Sequence, residues 1–179
     1  MSKSWYRKLF RQDAAADSAR VKSDSSLVDA ETQFGLAVNY DIGAGEAQDD
    51  SEAAKWYRKS AERGYALAQF NLALMYDHGQ GVAKDQAEAA KWFLKAADQG
   101  DAGAQFQMGK RCQRDSFDLS KGSTGEARIE AFKWFNLAAE QGYKDSETHL
   151  ERVNLLLTAE QFDEGLRRSA AFAARLKEG

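Results

Sequence analysis

Apolar and small residues recur along this chain at intervals of three and four, the spacing that puts them on one face of an α-helix. Between residues 66 and 77 they are Phe70, Leu72, Ala73 and Tyr76; between 86 and 99 they are Ala89, Ala90, Trp92, Phe93, Ala96 and Ala97. Gly79 and Gly81 separate the two runs, and Gly100 closes the second. The pattern predicts a helix, a turn, a second helix and a stop, with glycine supplying the positive φ that commonly ends a helix.

The same block occurs three times. Ala53-Ala-Lys-Trp-Tyr57, Ala89-Ala-Lys-Trp-Phe93 and Ala131-Phe-Lys-Trp-Phe135 place tryptophans at 56, 92 and 134, and Gly64, Gly100 and Gly142 follow at matching positions. In the other half of the unit, Gln33-Phe-Gly-Leu-Ala37 matches Gln69-Phe-Asn-Leu-Ala73 and Gln105-Phe-Gln-Met-Gly109. Tyr40 and Tyr76 are matched by Cys112. The first interval is 36 residues in both halves, and the last tryptophan interval is 42. The six additional residues therefore fall between Cys112 and Trp134, where residues 115–125 read as a lengthened turn. A helix pair of this kind cannot bury its own apolar face, so stacking on its neighbours is what stabilises it.

The string Ala-x-Ala-Gln-x-x-Leu-Ala-x-x-Tyr-x-x-Gly-x-Gly-Val, followed by Ala-Ala-Lys-Trp-Phe-x-Lys-Ala-Ala-x-Gln-Gly, spans residues 66–100. It resembles the Sel-one-like repeat, a relative of the tetratricopeptide repeat, and the likeness extends over about residues 30–143. The resemblance implies an all-α, right-handed α/α superhelical solenoid that serves as a protein-interaction scaffold. Unit one departs in having Gly43-Ala-Gly-Glu46 at its turn, and unit three lacks the tyrosine and both turn glycines.

The organisation expected is an amphipathic segment with linker or cap at 1–28, three repeats at 29–65, 66–101 and 102–143, and capping helices at 144–179. Leu150 continues the series Leu36, Leu72, Met108, but Glu151 and Asn154 stand where the repeats carry small residues and tyrosine. A helix with polar groups where a neighbour would pack is a terminal cap. Thr158-Ala-Glu-Gln161 is a capping box for a last helix to about Leu176, with Phe162, Leu166, Phe172 and Leu176 as its apolar side. At the other end Trp5, Tyr6, Leu9 and Phe10 lie among Lys3, Arg7, Lys8 and Arg11. Such a helix could cap the first repeat, dock in a groove, or rest on an anionic membrane surface.

Composition narrows the picture without changing it. The 179 residues are 43% hydrophobic, enough for one domain with a core, and no proline interrupts the helices. A net charge of −3, from 25 basic and 28 acidic residues, provides no field to gather nucleic acid. The single cysteine excludes an intramolecular disulfide, no apolar run is long enough to span a bilayer, and no signal-peptide core is visible. A cytoplasmic location is the expectation.

In the superfamily the first helix of each unit lines the concave face. Carried onto this chain, that gives three ladders: Phe34, Phe70, Phe106 and Thr148; Val38, Leu74, Lys110 and Arg152; Ile42, His78, Arg114 and Leu156. A partner segment with apolar anchors and an acidic end would suit such a surface, with Phe34, Val38, Phe70, Leu74, His78, Phe106, Lys110, Arg114 and Arg152 as contact residues. The competing view assigns the phenylalanines to the core and the cations to a solvated face.

Sites for chemistry are scarce. His78-Gly-Gln-Gly-Val82 ends a helix and lacks the preceding strand of a phosphate loop, and Lys121-Gly-Ser-Thr-Gly125 lacks the Gly-Lys-Ser/Thr order. His78, His149 and Cys112 have no paired metal-ligand spacing. Cys112 occupies a tyrosine position and reads as a buried thiol, and no catalytic residue, cofactor or metal is expected. The sequence thus favours a non-catalytic adaptor that binds a peptide or helix. The alternatives are a hydrolase on the same scaffold and a membrane-surface regulator anchored by its first residues.

Overall fold

The computed structural model describes residues 29–43, 47–118 and 124–178. Among them are eight helices and no strand: α1 (Ala30–Ile42), α2 (Asp50–Glu62), α3 (Ala66–His78), α4 (Gln86–Asp98), α5 (Ala102–Asp115), α6 (Thr124–Glu140), α7 (Ser146–Asn154) and α8 (Ala159–Glu178). They fall into two compact units, the first extending to Trp92 and the second beginning at Phe93. The expected amphipathic segment at 1–28 lies outside the described residues, as does the middle of the unit-three insertion.

Aspartates start the helices. Asp29 Oδ1 accepts from the Thr32 N–H at 2.9 Å, and Asp49 from Ser51 and Glu52 at 2.9 and 3.0 Å. Asp85 takes the N–H groups of Ala87 and Glu88 at 2.9 and 3.0 Å, and Asp101 that of Ala104 at 2.7 Å. Each carboxylate satisfies amides that have no partner within the helix and sits at the positive end of its dipole. The capping box read from the sequence also forms: Thr158 N–H donates to Gln161 Oε1 at 3.1 Å, and Gln161 N–H to Thr158 Oγ1 at 3.3 Å.

Helix ends repeat as faithfully. Gly64, Gly100 and Gly142 have φ of 92°, 90° and 68°. The residue after each donates back across the turn: Tyr65 to Ser60 O at 3.3 Å, Asp101 to Ala96 O at 3.1 Å, and Tyr143 to Ala138 O at 3.0 Å. With the glycine N–H bonds to Ala61, Ala97 and Ala139, these are three Schellman closures at the intervals of the tryptophans.

In unit 1 the alanines Ala37, Ala53, Ala68, Ala73 and Ala89 are fully buried, and Trp56 and Trp92 are less than a tenth exposed. Small residues bring the helix axes close, and the aromatic rings fill the space that remains. Phe34 packs against Tyr57 and Tyr65 at 5.7 and 5.1 Å between centroids. Gly81, at φ 66°, lies directly on the start of α2, where a Cβ would collide with the Asp50 carbonyl.

Unit 2 is built around α6, whose Ala131, Phe132 and Phe135 share a buried cluster with Val153. Two glycines make room for its rings. A Cβ on Gly109 of α5 would lie 2.6 Å from Phe135, and one on Gly165 of α8 would lie 2.5 Å from Phe132. This corrects the expected apolar side of α8. Its buried residues are Gly165, Ser169 and Phe172, while Leu166 and Leu176 remain exposed. The physical reason is closeness: only the small stripe lets α8 approach Phe132 and lets Phe172 stack edge-on against Trp134 at 5.3 Å. The insertion is corrected too, since Thr124 and Gly125 already belong to α6, which reaches 17 residues against 13 in α4.

A polar belt ties α8 to α6. Arg168 bonds Glu164 at 2.6 Å, Glu130 at 2.8 Å and Glu126, and Lys133 adds a bond to Glu130 at 2.7 Å. Burial by itself would raise the Glu130 carboxyl, but the hydrogen bonds from Lys133 and Arg168 prevail and hold it below its ordinary value. A depressed carboxylate stabilises the fold above its ordinary pKa, and that contribution disappears as pH falls through the lower folded value.

Two outcomes follow for stability. Gly81→Ala should destabilise by about 2–3 kcal/mol, because positive φ and steric overlap act together, measured by thermal or urea unfolding. Arg168→Ala should lose about 1–2 kcal/mol at pH 7 and show a flatter loss of stability on acidification than the parent, measured by urea midpoints at pH 7 and 4.

Candidate partner-binding surface

The first helices carry the residues expected to face a partner, and the structure sorts them. Phe34 and Val38 are 1% and 2% exposed, so both are committed to packing within unit 1 and offer no surface as the chain stands. Phe70 and Leu74 are half-buried, and His78 is exposed beside Asp77. In unit 2, Phe106 is half-buried against Phe135, Tyr143 and His149, while Lys110, Arg114, Thr148 and Arg152 are exposed.

The cations on α5 and α7 differ from several others in the chain. Lys55 pairs with Glu52 at 2.5 Å, Lys91 with Glu88, and Lys133 with Glu130. Among the described residues Lys110, Arg114 and Arg152 have no carboxylate within ion-pair distance, and Lys110 lies 5.7 Å from the centre of the Phe106 ring. His149 sits among them. Its ring is 5.0 Å from Phe135 and meets Phe106 edge-on at 5.2 Å, and Nδ1 is 3.1 Å from Gln113 Oε1. Burial first, then the charges of Arg152 and Lys110, push its pKa down, with Asp145 opposing.

His149 lies outside the three ladders read from the sequence, which did not anticipate this grouping. The available signal was spacing: His149 and Arg152 on α7 stand 42 residues after Gln107 and Lys110 on α5, extending the ladders. Among the described residues no group of three potential metal ligands assembles, and no helix is long and apolar enough to cross a membrane.

A hollow of about 440 Å³ in unit 1 is lined by Lys55, Trp56, Arg58, Lys59, Gly81 and Val82, among others. Its cations are already engaged: Lys55 with Glu52, Lys59 over the Trp56 ring at 4.0 Å, and Arg58 with the Tyr76 hydroxyl. Gly79 caps α3 through its N–H to Met75 O at 2.8 Å, so the glycine pair is turn chemistry and no phosphate cradle.

A family model described as the Sel1 repeat matches residues 30–65, 66–101 and 102–143, well over half of the chain. The chain belongs to the Sel1-repeat family. A Sel1 repeat protein from Oxalobacter formigenes is 34% identical, with a TM-score of 0.62, over 76% of this chain and 98% of that one. A protective antigen of uropathogenic Escherichia coli displaying an SLR fold is 25% identical, with a TM-score of 0.71, over 95% of this chain. The chain spans 36% of that antigen's length. No curated protein matches.

Sel1 repeats are typically non-catalytic and commonly act as protein-interaction scaffolds. The one cysteine agrees with that character. Cys112 fills the tyrosine position of the third Sel1 repeat and packs on the α6 cluster. Burial, then the neighbouring Glu130 and Asp115, pushes its thiol up to about 11. A thiol held protonated at neutral pH is a poor nucleophile. Native protein should therefore react with a disulfide reagent at pH 8 far more slowly than unfolded protein, by roughly ten-fold or more on the thiolate fraction alone. A fast native reaction followed by absorbance would contradict the buried-thiol assignment.

Proposed function

We propose that this Sel1-repeat chain is a non-catalytic scaffold that binds a peptide or helix of a partner protein on its first helices. Unit 1 provides apolar contact through Phe70 and Leu74, with His78 at the end of the same helix. Unit 2 provides Lys110, Arg114 and Arg152 for acidic groups, beside the exposed part of Phe106. The observation that carries the reading is the grouping of exposed cations without an ion-pair carboxylate on α5 and α7, two of them close enough to act on the half-buried His149. Leaving like charges together is unfavourable, and a partner's carboxylates relieve it while setting orientation and association rate.

Binding energy in such surfaces concentrates in aromatic and cationic side chains. Phe70→Ala combined with Lys110→Glu should abolish capture of a partner in an affinity pull-down, by at least ten-fold, while the far-UV helical signal is unchanged. Undiminished capture by that folded double variant would remove the first helices as the binding surface.

A further inference from the structure

We propose that Lys110, His149 and Arg152 form a carboxylate-binding subsite on unit 2, taking an acidic side chain of the partner segment. The inference rests on the scaffold reading above and names the chemistry of one of its contacts. Three features build the subsite. Lys110 lies one turn beyond Phe106 on α5, and its ammonium group is 5.7 Å from that ring's centre. Arg152 follows His149 by three residues on α7, so both project from one side of the helix. His149 is itself held in place: Phe135 of α6 lies against its ring, Phe106 of α5 meets it edge-on, and Gln113 of α5 holds Nδ1 at 3.1 Å.

With Nδ1–H donating to Gln113 Oε1, the proton that comes and goes is on Nε2. The charges around the ring are Lys110 from α5 and Arg152 from α7, opposed by Asp145 at the start of α7, while α6 brings only the Phe135 ring against it. In the free protein burial, and then the two cations, push the pKa of the imidazole down. A carboxylate seated against Lys110 and Arg152 cancels their effect and adds an attraction for the imidazolium. Binding therefore takes up a proton, and by linkage the complex is tighter at low pH than at high pH.

The chain has two histidines, His78 and His149, so a proton NMR spectrum of the full chain resolves the question directly. The probe is hexaglutamate at constant ionic strength, with inorganic phosphate as a second arm, and His149→Asn assigns the resonance. Saturating hexaglutamate should raise the His149 midpoint by about 0.5–1 pH unit and make binding roughly three- to ten-fold tighter below both midpoints than above them. Without any ligand, Arg152→Gln should raise the same midpoint, and Lys110→Ala with Arg152→Gln should weaken hexaglutamate binding at least ten-fold with helicity retained.

A His149 resonance that hexaglutamate leaves unmoved between pH 5 and 8 would overturn the subsite. So would a response confined to His78, equal binding by the double variant, or a response to phosphate alone. Those results leave a scaffold that captures its partner through other residues, which the same pull-down with Phe70→Ala alone reads separately.

Discussion

A buried glutamine at the start of each new pair is the joint on which the stacking depends. A helix ends with carbonyls that have no partner within it, and here those ends lie inside the stack, out of reach of water. Gln69 reaches back to Ala61 O at 3.1 Å, and Gln105 to Ala97 O at 3.4 Å; both side chains are at most 4% exposed. Gln105 is used at both ends of its amide, since its Oε1 accepts from Gln141 at 2.9 Å. The positive-φ glycine turns the chain, the Schellman bonds satisfy two carbonyls, and the glutamine brings a second donor to one of them. A side chain without the amide donor would leave that carbonyl to the glycine N–H alone and lose one buried hydrogen bond, worth about 0.5–1.5 kcal/mol.

The same requirement explains where the repeats stop. Forty-two residues after Gln105 stands Glu147, exposed and, when ionised, unable to donate to a carbonyl. Helix α7 begins at Asp145 in the left-handed region, without a side-chain cap. Its neighbour Ser146, at the place of Ala104, is buried. Without the glutamine joint, α8 is held by other means: the Gly165 notch over Phe132 and the fork of Arg168 across three glutamates. The first is dry packing, and the second is a half-exposed ionic contact that weakens with acid. The terminal helix is therefore more sensitive to pH than the repeats.

Much of this was legible because a repeat reports itself several times over. Tryptophan, glycine and glutamine recur in register, and the helices read at 66–77 and 86–99 end within one residue of α3 and α4. The aspartate caps were equally readable, though the hydrophobic pattern ignores them. What the sequence hid depends on context. Phe34 and Phe106 hold the same repeat position, yet one is fully buried and the other half-open. The stripe of α8 was misread because glycine and serine carry little hydrophobic signal, although smallness is what the contact requires. The Arg168 fork joins residues 38 and 42 apart, a pairing no local pattern contains.

Exposure divides the chain's polar chemistry between structure and recognition. Lys55, Lys91 and Lys133 each sit three residues from a carboxylate, so their charge is met within the helix itself. Lys110 and Arg152 are placed where the repeat would otherwise carry Val38 and Leu74, on the side that packs or faces a partner. Exchanging an apolar side chain for a cation there gains nothing for the core, and grouping cations around a half-buried imidazole is unfavourable in the free chain. Under the proposed function a partner's carboxylate offsets that cost. The third repeat and its cap thus keep the Sel1 scaffold while giving up apolar surface for charge, and the proposed preference for acidic segments rests on that exchange.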